Sequence, residues 1–275
     1  MTDESTPRPP DREPPPGVDD SVPQSARIWN YWLGGKDNYP IDREVADQFS
    51  ELYPPIIDIA RAQRYFLARA VRYLAGEAGI RQFLDIGTGL PTVDNTHEIA
   101  QRVAPEARIV YVDSDPLVLM HARALLTSRP EGVTDYVDAD LRDTAAVLAG
   151  AAKTLDFSRP IAITMLGILG HIARYDEANS VVRRLLNAVP SGSHVVIADG
   201  TNLLGGTPYD EAMRIWNAAA KPRYLLRTPE EIAGFFDGLQ LVEPGVVSVP
   251  LWRPDPSPFE PSGRVDNFGG VGKKP

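Results

Sequence analysis

The chain of 275 residues contains no cysteine, which removes disulfides, thiolate metal sites and thiol nucleophiles together. Nothing in it calls for an oxidising compartment. Long apolar runs are missing as well: the longest, IAITMLGILG at 161–170, falls far short of the roughly 20 residues that span a bilayer. The opening stretch MTDESTPRPPDREPPPG is acidic and proline-rich, where a secretory leader would be basic and then apolar. These features predict a cytoplasmic protein with no membrane partner. Basic blocks are absent too. With 37 acidic residues against 28 Lys and Arg, the formal net charge is −9, so there is no visible footprint for a phosphate backbone and no nucleic-acid partner is expected. Only four histidines occur, and none forms a compact set with acids at ligand spacing, so no metal is expected.

What is present suffices for one large core with extra segments at its ends. Residues 1–20 have many prolines and few apolar side chains, which predicts a disordered tail. Residues 21–80 read as an N-terminal helical lid segment, 81–253 as the main ligand-binding domain, and 254–275, proline-rich and closing with FGGVGKKP, as a C-terminal tail. Within the main domain, strand-like QFLDIG (82–87), ARIVYVDSD (107–115), TDYVDADL (134–141), IAITMLG (161–167) and SHVVIADG (193–200) alternate with helical stretches at 95–105, 116–128, 142–155 and 176–189. That alternation predicts parallel crossovers, hence a doubly wound, Rossmann-like α/β sheet with helices on both faces. A helix over 61–79 precedes it. Helices over 208–220 and 228–238 follow, and LQLVEPGVVSVPLW (239–252) reads as two strands joined at Pro-Gly, a terminal antiparallel hairpin.

Ligands of such sheets bind at the carboxyl ends of the strands. In FLDIGTGLPT (83–92), Gly87 and Gly89 flank Thr88 and let the backbone turn tightly and approach a ligand, while Asp85 can accept a hydrogen bond from a ligand ammonium. Asp113, followed by Ser114, ends the second strand 24 residues after Gly89, where one carboxylate can take both hydroxyls of a ribose. Asp140, followed by Leu141, ends the third, where an acid can take the exocyclic amine of adenine. Three acids at successive strand ends point to an adenosine site. This leaves NAD and S-adenosylmethionine as candidates, and Gly87-Thr88-Gly89-Leu90-Pro91-Thr92 lacks the third glycine of the dinucleotide fingerprint.

FLDIGTGLPTVDNTHEIAQ, VYVDSDP, ADLRD (139–143), TMLGILGHI and ARIWNYWLGGKDNY together resemble a bacterial family of S-adenosylmethionine-dependent methyltransferases, long catalogued as a domain of unknown function. The resemblance runs from about Ser25 to Pro254 and includes FFDGLQLVEPGVVSVPLWRPD. It implies a class-I methyltransferase fold with a seven-stranded sheet and S-adenosylmethionine bound over Asp85, Gly87, Asp113 and Asp140; Met165 and Leu166, in TMLGILGHI, join the expected cofactor site. It supplies no methyl acceptor. A protein that binds or senses S-adenosylmethionine or its demethylated product without catalysis, and an NAD-dependent oxidoreductase, stay open as alternatives.

If a cofactor lies over the first strands, SARIWNYWLGGKDNY (25–39) can form a helix, ended at Gly34-Gly35, whose aromatic side closes over the site. Tyr31 or Trp32 would then face the sulfonium. Lys36 would pair with the methionine carboxylate, and Asn38 would bond it or the ribose. The alternative is that these aromatics only pack the helix onto the core. No catalytic residue is assigned firmly: His171, after the fourth strand, is the candidate base if the acceptor must lose a proton, or else a helix-capping histidine. Tyr175, Tyr209, Arg214, Trp216, Arg223 and Tyr224 lie in the region where a substrate pocket would be built. The acidic balance favours a neutral or cationic small-molecule acceptor.

Overall fold

Side-chain alternation along the strands decides the architecture, because successive residues of a strand point to opposite faces of its sheet. In β1 (Gln82–Ile86), Leu84 and Ile86 enter one apolar core and Phe83 the other. Likewise in β2 (Arg108–Asp113), Val110 and Val112 point one way and Ile109 and Tyr111 the other. A sheet buried on both faces needs two helical layers. The computed structural model describes residues 14–15, 18–91, 94–125, 127–255 and 263–275, and most of the expected 1–20 tail lies outside them.

The remaining strands are β3 (Val133–Asp138), β4 (Ala162–Leu166), β5 (His194–Gly200), β6 (Gln240–Leu241), β7 (Val247–Ser248) and β8 (Asn267–Lys273). Their order is β3-β2-β1-β4-β5-β8-β6, with β7 also paired to β8. The first five are mutually parallel and β8 runs against β5. One core joins the sheet to α1 (Ser25–Trp32), α2 (Pro40–Leu52), α3 (Ile56–Gly76), α4 (Thr96–Val103) and α8 (Gly206–Ala219). The other joins it to α6 (Thr144–Ala151), α7 (Tyr175–Ala188) and residues beside α9 (Pro229–Gly234). Between β2 and β3 runs α5 (Pro116–Leu125). This is the doubly wound fold that the alternation predicts. No helix among the described residues is long and apolar enough to cross a membrane.

Three expectations need correction. Residues 254–275 are not simply a tail, because β8 is inserted between β5 and β6, pairing from His194↔Lys273 to Gly200↔Asn267. The stretch 239–252 is not a hairpin: β6 and β7 pair with β8 and not with each other, and the Pro-Gly between them closes a turn in which Gly245 N–H donates to Val242 O at 2.9 Å. Nor is all of 21–80 separate from the main domain. In α3, Phe66, Ala70 and Leu74 are buried in the same core as Phe83 and Val196 of the sheet.

The C-terminal strand also organises the chain before it. Asp266, fully buried, accepts hydrogen bonds from Leu203, Leu204 and Gly205 N–H and from Tyr53 Oη at 2.8 to 3.2 Å. It thereby fixes the connection from β5 to α8. At the other end, the buried Arg27 of α1 pairs with buried Asp42 of α2 at 2.9 Å and donates to the carbonyls of Asp19 and Val22. Residues 19–22 are thus folded back onto α1.

Candidate active site

The carboxyl ends of β1, β2 and β4 meet a cavity of about 390 Å³. The turn after β1 supplies Gly87, Thr88, Gly89 and Leu90; the end of β2 supplies Asp113, Ser114, Asp115 and Pro116; and Leu166, Gly167, Ile168 and His171 follow from β4. Across from them stand Gln63, Arg64 and Leu67 of α3, and Ala26, Trp29 and Asn30 of α1 with Leu33 just beyond.

Glycine is needed in the turn for two different reasons. Gly87 has φ +74°, and a Cβ there would come within 2.7 Å of the Ile168 side chain. Gly89 has φ +65°, and a Cβ there would meet nothing within 4 Å. Its backbone is therefore open to the cavity. Asp113 locks the turn: its carboxylate accepts from Gly89 N–H at 3.1 Å and from Asp115 N–H at 2.9 Å. Burial nonetheless pushes its pKa up to about 6, beyond what those two bonds pull down. Asp85 is buried, accepting from Thr96 and Thr164 hydroxyls at 2.6 Å each. Burial raises its pKa as well, against these bonds and the charge of Arg64. Arg64 donates through Nη2 to Asp94 O at 3.0 Å, and Gln63 is held at its Oε1 by Asn267 of β8 at 3.1 Å.

Of the predicted site residues, Asp85, Gly87, Thr88, Gly89, Asp113, Ser114, Leu166 and His171 line this one cavity. The others do not, each for a visible reason. Ala26, Trp29, Asn30 and Leu33 follow the spacing of one helical face, so Trp29 faces the cavity while Tyr31 and Trp32 are turned away. Tyr31 Oη donates to Asp47 at 2.9 Å, and Trp32 stacks on Trp216 at 5.7 Å. Gly35 is small because Asn30 occupies the space a Cβ would take. Asn38 binds Asn30 Oδ1 at 3.0 Å, as does Asp37 N–H, so the LGGKDN turn clamps Asn30 and leaves Lys36 exposed, off the cavity. Asp140 meets Arg142, two residues on, at 3.1 Å, and Leu141 and Met165 are buried in the opposite core.

Trp29, which the sequence puts on the covering helix without singling it out, and Asn30, Gln63 and Arg64 are not among the predicted site residues. The helical spacing of 26, 29, 30 and 33 was a usable signal for the first two. Gln63 and Arg64 carry none, since a polar pair on a long amphipathic helix reads as solvent-facing.

A family model described as S-adenosyl methyltransferase matches residues 11–275. The chain belongs to that family. A crystal structure of a DUF574 family protein from Streptomyces avermitilis is 45% identical, with TM-score 0.89, covering 94% of this chain and 99% of that one. A provisionally assigned methyltransferase from Thermobifida fusca is 43% identical, with TM-score 0.85, covering 95% and 98%. The mitomycin 7-O-methyltransferase, 14% identical with TM-score 0.50 over 86% of this chain and 69% of its own, shares the fold alone. Among curated proteins no relative matches. The methyltransferase is thus an enzyme that uses S-adenosylmethionine.

The hydrogen bonding of His171 fixes which ring nitrogen carries its proton. Its Nδ1 lies 2.7 Å from Arg223 O; a carbonyl can only accept, so Nδ1 carries the proton and Nε2 keeps its lone pair. Burial, aided by the charge of Arg142, lowers its pKa to about 4. The ring is neutral near pH 7. His97, by contrast, is buried against the Tyr111 hydroxyl at 2.9 Å.

Proposed function

We propose that the enzyme methylates a small molecule through an O–H or N–H group, with His171 Nε2 accepting the hydrogen bond of that group. The observation that carries this reading is one cavity lined by Gly87, Gly89, Asp113 and His171 together. S-adenosylmethionine, when bound, supplies a methyl on a sulfonium that leaves by in-line displacement. The residues present suit it: Gly89 leaves room where a side chain would intrude, and Asp113 keeps lone pairs for ribose hydroxyls. Arg64 is the cation placed for the methionine carboxylate. Trp29 and Leu33 make α1 an apolar cover that excludes water, which strengthens every polar contact beneath it. His171, held neutral, orients the acceptor's lone pair toward the methyl and takes its proton as the bond forms.

A cavity of about 390 Å³ lies at the small end of ligand sites, which supports a small acceptor over a macromolecule. Methyl-labelled cofactor incubated with phenols, amines and carboxylic acids, and in parallel with DNA, RNA and protein, tests the acceptor class. Label entering only the macromolecules would defeat it. In the small-molecule assay His171→Gln should slow transfer roughly 100-fold while leaving cofactor affinity within about twofold.

Two binding measurements probe the cofactor contacts. By calorimetry, Arg64→Ala should weaken S-adenosylhomocysteine binding roughly tenfold or more, the worth of a charged hydrogen bond, and Lys36→Ala should leave it unchanged. Because burial sets the Asp113 pKa at about 6, affinity should be flat above that pH. It should then fall toward a limit of about tenfold per unit below it, as the carboxylate takes a proton. The unliganded fold responds with the opposite sign. A carboxyl whose folded-state pKa exceeds its unfolded one adds stability as pH drops from about 6 toward 3.8.

A further inference from the structure

The short 3-10 turn Leu169–His171 that carries His171 is held by groups that methyl transfer itself does not use. Arg227 Nη2 donates to Ile172 O at 2.7 Å and Leu169 O at 3.2 Å. Leu225 N–H donates to Gly170 O at 2.9 Å. The Tyr224 ring lies where a Cβ on Gly170 would come within 2.5 Å, and it meets the His171 ring edge-on at 5.0 Å. Tyr224 is itself fixed at both ends. Its hydroxyl donates to buried Asp199 at 2.6 Å and accepts from Gly200 N–H at 2.9 Å. Its main chain exchanges two hydrogen bonds of 2.8 Å with the Asn217 side chain, Nδ2 donating to Tyr224 O and Oδ1 accepting from Tyr224 N–H.

The Arg227 and Leu225 bonds hold the turn that carries His171, while those of Tyr224 fix the residue that follows Arg223, whose carbonyl accepts from His171 Nδ1. We propose that Asn217, Tyr224 and Asp199 are positioning residues, holding the Arg223 carbonyl where it fixes His171 as the Nδ1–H tautomer and presents Nε2 to the acceptor. The arrangement has a physical rationale. Neutral imidazole can place its proton on either nitrogen, and only a fixed acceptor at Nδ1 guarantees a lone pair at Nε2. None of the three lines the cavity. They act through His171 and rest on the reading of His171 as the acceptor-facing base.

The chain has four histidines, so ring nitrogens of the full-length, 15N-labelled protein can be assigned from His→Gln variants. With S-adenosylhomocysteine bound, the wild-type His171 spectrum near neutral pH should show a protonated Nδ1 and a lone-pair Nε2. Asn217→Ala and Tyr224→Phe should each move a substantial share of the proton to Nε2, with cofactor affinity within about twofold of wild type. Asp199→Asn, nearly the same shape, should do so more weakly and guards against a variant that fails to fold. An unchanged tautomer in folded Asn217→Ala and Tyr224→Phe would overturn the proposal. If the tautomer moves yet His171→Gln methylates small molecules at the wild-type rate, the role of His171 as base falls and the positioning frame stands.

Discussion

A chain ending at Arg264 should not form a stable, cofactor-binding protein: its circular dichroism should lose the cooperative thermal transition, and calorimetry should register no S-adenosylhomocysteine binding. The deletion removes β8 from between β5 and β6, so seven residues of β5 lose their antiparallel partner. A row of unpaired N–H and C=O groups would be left on a strand now at the edge. With β8 goes Val271, fully buried in the core shared with α3. Asp266 goes too, and with it four hydrogen-bonded groups of the 203–205 turn and Tyr53 lose their acceptor. Even a soluble product would lack Asn267, which holds Gln63 at the cavity wall. A subtler variant reaches the same strand without deletion. In Gly269→Val a Cβ would sit 2.5 Å from Ile197 O, so it should melt at a markedly lower temperature than wild type. A truncated chain that melts cooperatively and binds the product would show that β8 is dispensable.

Asp113→Ala should weaken S-adenosylhomocysteine binding by roughly 100-fold or more while the protein stays folded. Two losses combine. The ribose hydroxyls lose a carboxylate acceptor, each charged hydrogen bond being worth roughly 1.5–3 kcal/mol. The Gly89 and Asp115 amides lose the oxygen atoms that keep the turn after β1 in register with the end of β2. Asp113→Asn separates these losses. It retains one carbonyl oxygen for the turn but carries no charge, so it should bind more tightly than Asp113→Ala and lose the dependence on pH through about 6. Equal affinity of Asp113→Ala and wild type would remove this residue from the cofactor site.

The site's two halves differed in how much the sequence revealed. Gly87, Gly89 and Asp113 were legible because their chemistry is local. The glycines adopt φ +74° and +65° within one turn, and Asp113 lies at the end of the next strand in register. The covering half was not. Lys36 and Asn38 follow Gly34-Gly35 closely enough to suggest ligand contacts, yet the turn folds back on Asn30 and sends Lys36 outward. Asp140 was expected over adenine, but it lies off the cavity, where it pairs with Arg142 at 3.1 Å. Arg142 is visible in ADLRD, but which way the two side chains turn after β3 is not fixed by residue type.

The sequence by itself determined the alternation of five strands with helices, the two-faced burial of those strands and the glycine turn at the first of them. Each follows from periods of two or 3.6 residues and from backbone freedom at single positions. Only the tertiary structure decided that FGGVGK is a strand inserted between β5 and β6, which Trp faces the cavity, and that Gln63 and Arg64 stand across from the glycines. Glycine is a poor strand former on its own. It is chosen at 269 and 272 because Ile197 O and the Phe236 ring stand where side chains would go, at 2.5 and 2.8 Å from any Cβ. Those neighbours are far away along the chain, as Gln63 is from Asn267, and a contact across such a separation leaves no periodic trace in the sequence at either end.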